Sequence, residues 1–185
     1  MPFSKAALGM RAHSGWAVVV AVADGAPVLR RRIEMAPGTG MRARQPYHAA
    51  AEMKLEAARE FLDRAEAKAV AMAGASIAEI VVELQGRGYQ VHHAGILLGS
   101  GKPLPELPKI LAAHPLIHTA EGVFFRNVLR TACQDSNLAI RGIPEREVRA
   151  DLLAKTSAMG KILGPPWTMD EKLSAAAALD MLSTS

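Results

Sequence analysis

Residues 15–23 read Gly-Trp-Ala-Val-Val-Val-Ala-Val-Ala, and this run constrains the chain more than any other. It is too short and too rich in valine for a typical helix. A branched Cβ loses side-chain freedom against a helical turn and packs well on a pleated surface, so a strand is expected. Ala23-Asp24-Gly25 follows, and the Asp-Gly pair tolerates the positive φ of a tight hairpin turn. Residues 27–35, Pro-Val-Leu-Arg-Arg-Arg-Ile-Glu-Met, then read as a further strand. Pro27 suits a strand's start, where no ladder donor is needed. Arg30, Arg31 and Arg32 point to an edge strand, where charge discourages pairing with another chain. With the apolar run at 6–11, the chain opens as a three-stranded meander.

The periodicity downstream changes to that of helices. Gly and Pro make 36–46 a loop. Met53, Ala57, Phe61, Ala65 and Val70 recur near helical spacing and predict a helix over about 47–73, which Gly74 ends. Ser76, with Glu79 three residues on, predicts a capping box opening a second helix to about 84. Residues 88–101 predict the fourth strand. Its end is almost continuously apolar, as a central strand covered on both faces requires. A Pro-punctuated connector with a short helix leads to Thr119, expected as the N-cap of a helix to about 135. A fifth strand is expected over 137–144 and a helix over about 145–158. A Gly/Pro hinge and a last helix over about 169–182 complete the chain. Two βα crossovers after a meander give an α/β fold, a mixed five-stranded sheet with helices on both faces. The whole of 1–185 is expected to be one domain.

Composition limits the function classes. Half the residues are apolar and 22% are charged, so a sizeable core is expected and a disordered chain is not. The one cysteine, Cys133, excludes an internal disulfide and favours a reducing compartment. It sits within an expected helix with no histidine signature around it, which reads as buried filler. No apolar run reaches the ~18 residues of a membrane span. A cytoplasmic protein with no membrane partner is expected. The formal charge of +4 permits contact with nucleic acid without requiring it. Arg30, Arg31, Arg32, Arg42 and Arg44 cluster in sequence, as a basic edge or as a phosphate-contacting patch.

Three stretches carry a family resemblance. Leu8-Gly9-Met10-Arg11-Ala12 precedes Gly15-Trp16 and the valine strand; 118–149 reads HTAEGVFFRNVLRTACQDSNLAIRGIPEREVR; 169–182 reads MDEKLSAAAALDML. As a pattern of elements over most of the chain, this resembles the ribonuclease H-like fold, and most its Holliday-junction-resolvase branch. The resemblance implies nucleic acid as a partner. In an active member it also implies two divalent metals, Mg or Mn, held by about four carboxylates that activate water and stabilise the leaving oxygen. Arg11 stands where members open with aspartate. His92, His93, Ala94 and Gly95 stand on the strand where members carry a glutamate. Asp170 matches an acid of the last helix, and Leu173 stands three residues on. The resemblance therefore implies the fold with most of the catalytic acids missing.

The candidate site follows from that arrangement. Arg11, Glu121, Asp170 and one of His92 and His93 are expected to meet at the edge formed by the first and fourth strands and the last helix. Asp170, Glu121 and His93 are the catalytic candidates. Arg11, Arg31 and Lys102 are the phosphate-binding candidates. Arg11 beside Asp170 reads either as an ion pair or as a fork for a phosphate or carboxylate. Gly99-Ser100-Gly101-Lys102 departs from the Walker pattern, because Ile96 stands at the first glycine and Pro103 at the Ser/Thr. A strand-end turn or a small anion nest is expected there. His114, His118 and Glu121 have the spacing H-x3-H-x2-E. Pro115 and Thr119 interrupt the helix that would make the two histidines metal ligands, so no metal set is assigned. His13-Ser14 reads as a turn, and Trp167 as an anchor for the last helix. Three function classes stand: a nucleic-acid-associated protein with a degenerate or altered site, an active metal-dependent nuclease, or a non-catalytic interaction module. Nucleic acid and a second copy of the chain are the candidate partners.

Overall fold

The computed structural model describes residues 3–99 and 103–183. Three antiparallel strands come first: β1 (Ser4–His13), β2 (Trp16–Ala23) and β3 (Ala26–Glu34). Asp24 and Gly25 make the second turn at φ 50° and 77°, the left-handed geometry an Asp-Gly hairpin supplies. Later strands β4 (Tyr89–Leu98) and β5 (Ala139–Pro144) add in parallel beyond β1, giving the order β3-β2-β1-β4-β5. The arginine-bearing β3 is the expected edge strand. Its charges are occupied: Arg31 pairs with Glu83, Arg32 with Glu34, and Arg30 donates to the backbone carbonyls of Gly164, Pro165 and Pro166.

Strand alternation sorts side chains onto two faces. Ala6, Leu8 and Met10 of β1 pack with Val19 and Ala21 of β2 and Ala94 and Ile96 of β4 under two helices, α3 (Leu55–Gly86) and α5 (His114–Asp135). On the other face, Ala7, Leu97 and Val18, Val20 and Val22 lie under α6 (Ala150–Leu163) and α7 (Met169–Ser183). Gly9 and Gly95 share this face with Arg11, and their missing Cβ atoms let α7 approach the sheet closely. An Ala175–Ala178 run on α7 completes that close packing. Three short helices, α1 (Met41–Arg44), α2 (Pro46–Ala50) and α4 (Leu107–Leu111), fill the connectors, and a 3-10 turn (Glu145–Glu147) follows β5. No described helix is long and apolar enough to cross a membrane.

Several sequence expectations shift. Gly74 does not end a helix. A single helix of 32 residues runs through it, because Ala58, Leu62, Ala69, Ala73, Ile77, Ile80 and Leu84 form one buried stripe. That burial outweighs the roughly 1 kcal/mol that a mid-helix glycine costs. Ser76 is accordingly interior and not a cap. Residues 46–50 form their own short helix, so α3 starts at Leu55 rather than at 47. Similarly, α5 opens at His114, because Pro115 falls in the first turn, where its fixed φ and missing N–H are tolerated. Thr119 is one turn inside, its hydroxyl donating back to the Pro115 carbonyl. β4 stops at Leu98, and α6 runs 150–163 rather than 145–158.

Trp167, expected to anchor the last helix, ties the hinge before α7 to α6. Its indole donates to the Thr156 carbonyl at 2.8 Å and its ring lies against Gly160. Cys133 is fully buried in α5, and burial pushes its thiol up to about 12. A thiol so rarely ionised and so enclosed is a poor nucleophile. In the native protein at pH 8, Cys133 is expected to resist Ellman's reagent for hours and to react within minutes in denaturant. Fast native-state labelling would contradict this packing.

Candidate functional site

The parallel strands β1, β4 and β5 end at one edge of the sheet. Chain direction diverges there, β2 going to one side of β1 and β4 to the other. Open α/β sheets bind ligands outside strand carboxyl ends at such switch points. Arg11 and His13 reach this edge from β1, Glu145 from the turn after β5, and Asp170 from the first turn of α7.

These four residues form one ionic cluster. Arg11 grips Glu145 in a two-pronged fork, Nε to Oε1 at 2.9 Å and the second guanidinium nitrogen to Oε2 at 3.1 Å. Its third nitrogen donates to Asp170. Asp170 also meets the His13 Nε2 at 2.9 Å. The Glu145 hydrogen bonds, then those of Asp170, raise the Arg11 pKa above the usual guanidinium value against partial desolvation. Arg11 therefore stays charged. The His13 ring stacks on Trp16 with centroids 4.1 Å apart, and the Arg32 guanidinium lies 3.8 Å over the same indole. Arg126 of α5 is half-buried nearby, and burial lowers its pKa while the Glu145 charge opposes the shift.

Glu121 lies beside this cluster on α5, lining a cavity of about 200 Å³ together with Ala12, His13, Ser14, His48 and His118. It is 4% exposed. Its Oε1 accepts the backbone N–H groups of Tyr47 and His48 at 2.8 and 3.1 Å and approaches the His48 Nδ1 at 3.2 Å. It thereby caps α2 from another helix, satisfying first-turn donors that the short helix cannot pair itself. Burial raises the Glu121 pKa, with the His48 and Tyr47 hydrogen bonds opposing. Its other oxygen, Oε2, is buried with no hydrogen-bond partner among the described residues.

The candidate residues thus separate. Arg11 and Asp170 meet directly, and Glu121 lies across the adjoining cavity. His93 is not brought to them. It pairs with Ala7, four β1 positions before Arg11, roughly 13 Å back along the strand. Arg31 faces α3 from the far edge strand and is held by Glu83. Lys102 lies outside the described residues, as do Ser100 and Gly101 of the 99–102 stretch where a strand-end turn or anion nest is expected. Sequence reasoning missed Glu145, His13 as a partner of Asp170, and His48. Glu145 had one available signal: an acid directly after Pro144, at the end of a strand parallel to β1.

No protein-family model matches the chain, and no curated protein matches it in sequence. Solved structures match in fold. A Thermus thermophilus RuvC in complex with a Holliday-junction substrate aligns with a TM-score of 0.53 over 95% of this chain and 90% of that one, at 8% identity. A second Thermus thermophilus RuvC structure aligns with a TM-score of 0.50 over 94% and 91%, again at 8% identity. The expected architecture is therefore present: a ribonuclease H-like α/β fold, similar over most of the chain to that of these two RuvC structures.

Proposed function

We propose that this protein binds nucleic acid through the ribonuclease H-like fold without two-metal hydrolysis at the β1 edge. The observation that carries this reading is the Arg11 fork. Two carboxylates converge at the edge where such a sheet offers its ligand site, and a guanidinium fills the space between them. A divalent metal there needs free oxygen donors. Both candidate donors already serve a cation that cannot be deprotonated or exchanged.

The surface also supports a polyanionic partner. Arg42, Arg64 and Lys68 rim a second cavity of about 340 Å³ lined by Phe61 and Phe124. The Arg42 guanidinium lies 5.2 Å from the Phe61 ring. Cations beside aromatic faces suit a phosphate backbone with stacked bases. The fold match to a RuvC bound to a Holliday-junction substrate makes branched DNA the first ligand to test.

Fluorescence anisotropy with labelled four-way junction, duplex and single strand tests the reading in EDTA. Binding is expected at 50 mM salt and is expected to weaken at least tenfold by 200 mM, because counterions leave the DNA as lysines and arginines engage phosphates. The double variant Arg42→Ala/Lys68→Ala is expected to weaken all three ligands and flatten the salt slope by about 2, one per lost contact. No binding at low salt would leave the interaction-module reading. Junction cleavage in Mn²⁺ that is lost in Asp170→Ala would replace the proposal with an active nuclease.

A further inference from the structure

His48, His114 and His118 come together from two helices. His114 and His118 lie one turn apart on the same face of α5, with their Nε2 atoms 2.9 Å apart. The His48 ring, from α2, stands with its centroid 5.4 Å from that of His114 and 4.8 Å from that of His118. Each residue offers one ligand atom, and all three atoms lie within 4.8 Å of one another. We propose that these three imidazoles form a site for a borderline transition-metal ion of the zinc class, with a fourth position left to water or a small anion.

Three features favour a cation of that class. Imidazole nitrogen suits zinc, nickel and copper, whereas magnesium and calcium require oxygen donors. A tetrahedral centre with metal–nitrogen bonds of about 2.0–2.1 Å places its ligand atoms roughly 3.3 Å apart. The three ligand atoms lie within 4.8 Å of one another, and two of the three side chains are exposed and free of surrounding packing that would hold them from that spacing. The third feature is Glu121. Its Oε1 faces the His48 Nδ1, which leaves the His48 Nε2 for the metal and fixes the tautomer, as carboxylates behind metal-bound histidines do. Its buried Oε2 has no partner among the described residues, and Glu121 lines the same cavity as His48 and His118. A metal-bound water there would give that oxygen a donor. The site adjoins the Arg11 cluster across the cavity that His13 also lines, shares no proposed ligand with it, and does not depend on nucleic-acid binding.

The test is metal titration of the untagged chain without nucleic acid, by calorimetry for Zn²⁺ and by visible absorption for Co²⁺. One equivalent of Zn²⁺ is expected, with the intense visible bands of tetrahedral Co²⁺ displaced by Zn²⁺. His114→Ala and His118→Ala are expected to weaken binding about 100-fold and abolish the bands. Both positions are exposed, so these variants are expected to keep the wild-type circular dichroism. Glu121→Gln is expected to weaken binding about tenfold, and Asp170→Ala to leave it unchanged. Absent or non-stoichiometric Zn²⁺ binding, or stoichiometric binding indifferent to both histidine variants, would overturn the proposal. DNA binding measured in EDTA stands or falls separately.

Discussion

Gly9→Ala is expected to destabilise the fold by about 3 kcal/mol or more, read as a lowered urea midpoint at unchanged slope. A Cβ at Gly9 would lie 1.8 Å from the Ser174 carbonyl oxygen and 2.7 Å from the Ala178 nitrogen. Both atoms are helix backbone, so no side-chain rotation relieves the clash. α7 must lift from β1 as a unit, and that opens contacts of Ala175, Ala177, Ala178 and Met181 with the sheet. The same lift would move Asp170 away from Arg11. A variant as stable as wild type would mean that α7 does not sit this close to the sheet.

Arg11→Asp has the second large effect. The wild-type guanidinium neutralises Asp170 and Glu145, whose side chains keep 19% and 36% of their exposure. The variant would gather three carboxylates and lose the guanidinium between them, leaving Arg126 beside Glu145 as a partial offset. Removing one partner from a buried ion cluster costs 3–5 kcal/mol. Solvent still reaches all three side chains, so about 3 kcal/mol is expected in EDTA. Millimolar Mn²⁺ is expected to restore a large part of that loss, because three converging carboxylates are the hard oxygen donors that this ion takes. Wild-type stability is expected to be indifferent to Mn²⁺ at the β1 edge. Thermal melts of both proteins with EDTA and with Mn²⁺ make the comparison. An unchanged melting temperature in the variant would remove the Arg11 fork as the basis for reading this edge as non-hydrolytic.

How much was legible beforehand depended on the range of the interaction. Valine alternation and the Asp-Gly turn are local, and they placed the meander correctly. The Arg run marked β3 as an edge strand through its charge alone. Apolar periodicity located each large helix, but helix ends were less secure. Gly74 and Pro115 both carry local signals of interruption. At Gly74 a buried stripe on a neighbouring surface decided otherwise, and at Pro115 its place in the first turn did. That second difference mattered functionally, since an unbroken α5 is what puts His114 and His118 on one face.

The sequence by itself determined the order of the five strands along the chain, the three-stranded opening and the burial of Cys133, and it offered the Arg11–Asp170 ion pair as one of two readings. Each follows from residue type and spacing, or from the topology those dictate. Only the tertiary structure decided that Glu145 completes the Arg11 fork, that Glu121 caps α2, and that His48 joins two histidines 66 and 70 positions away. It also placed His93 beside Ala7, well back from Arg11, and Arg31 against Glu83 on the far edge strand. Such contacts depend on strand register and on where a connector helix settles against α5. Both are set by packing across the whole molecule, which no local pattern encodes.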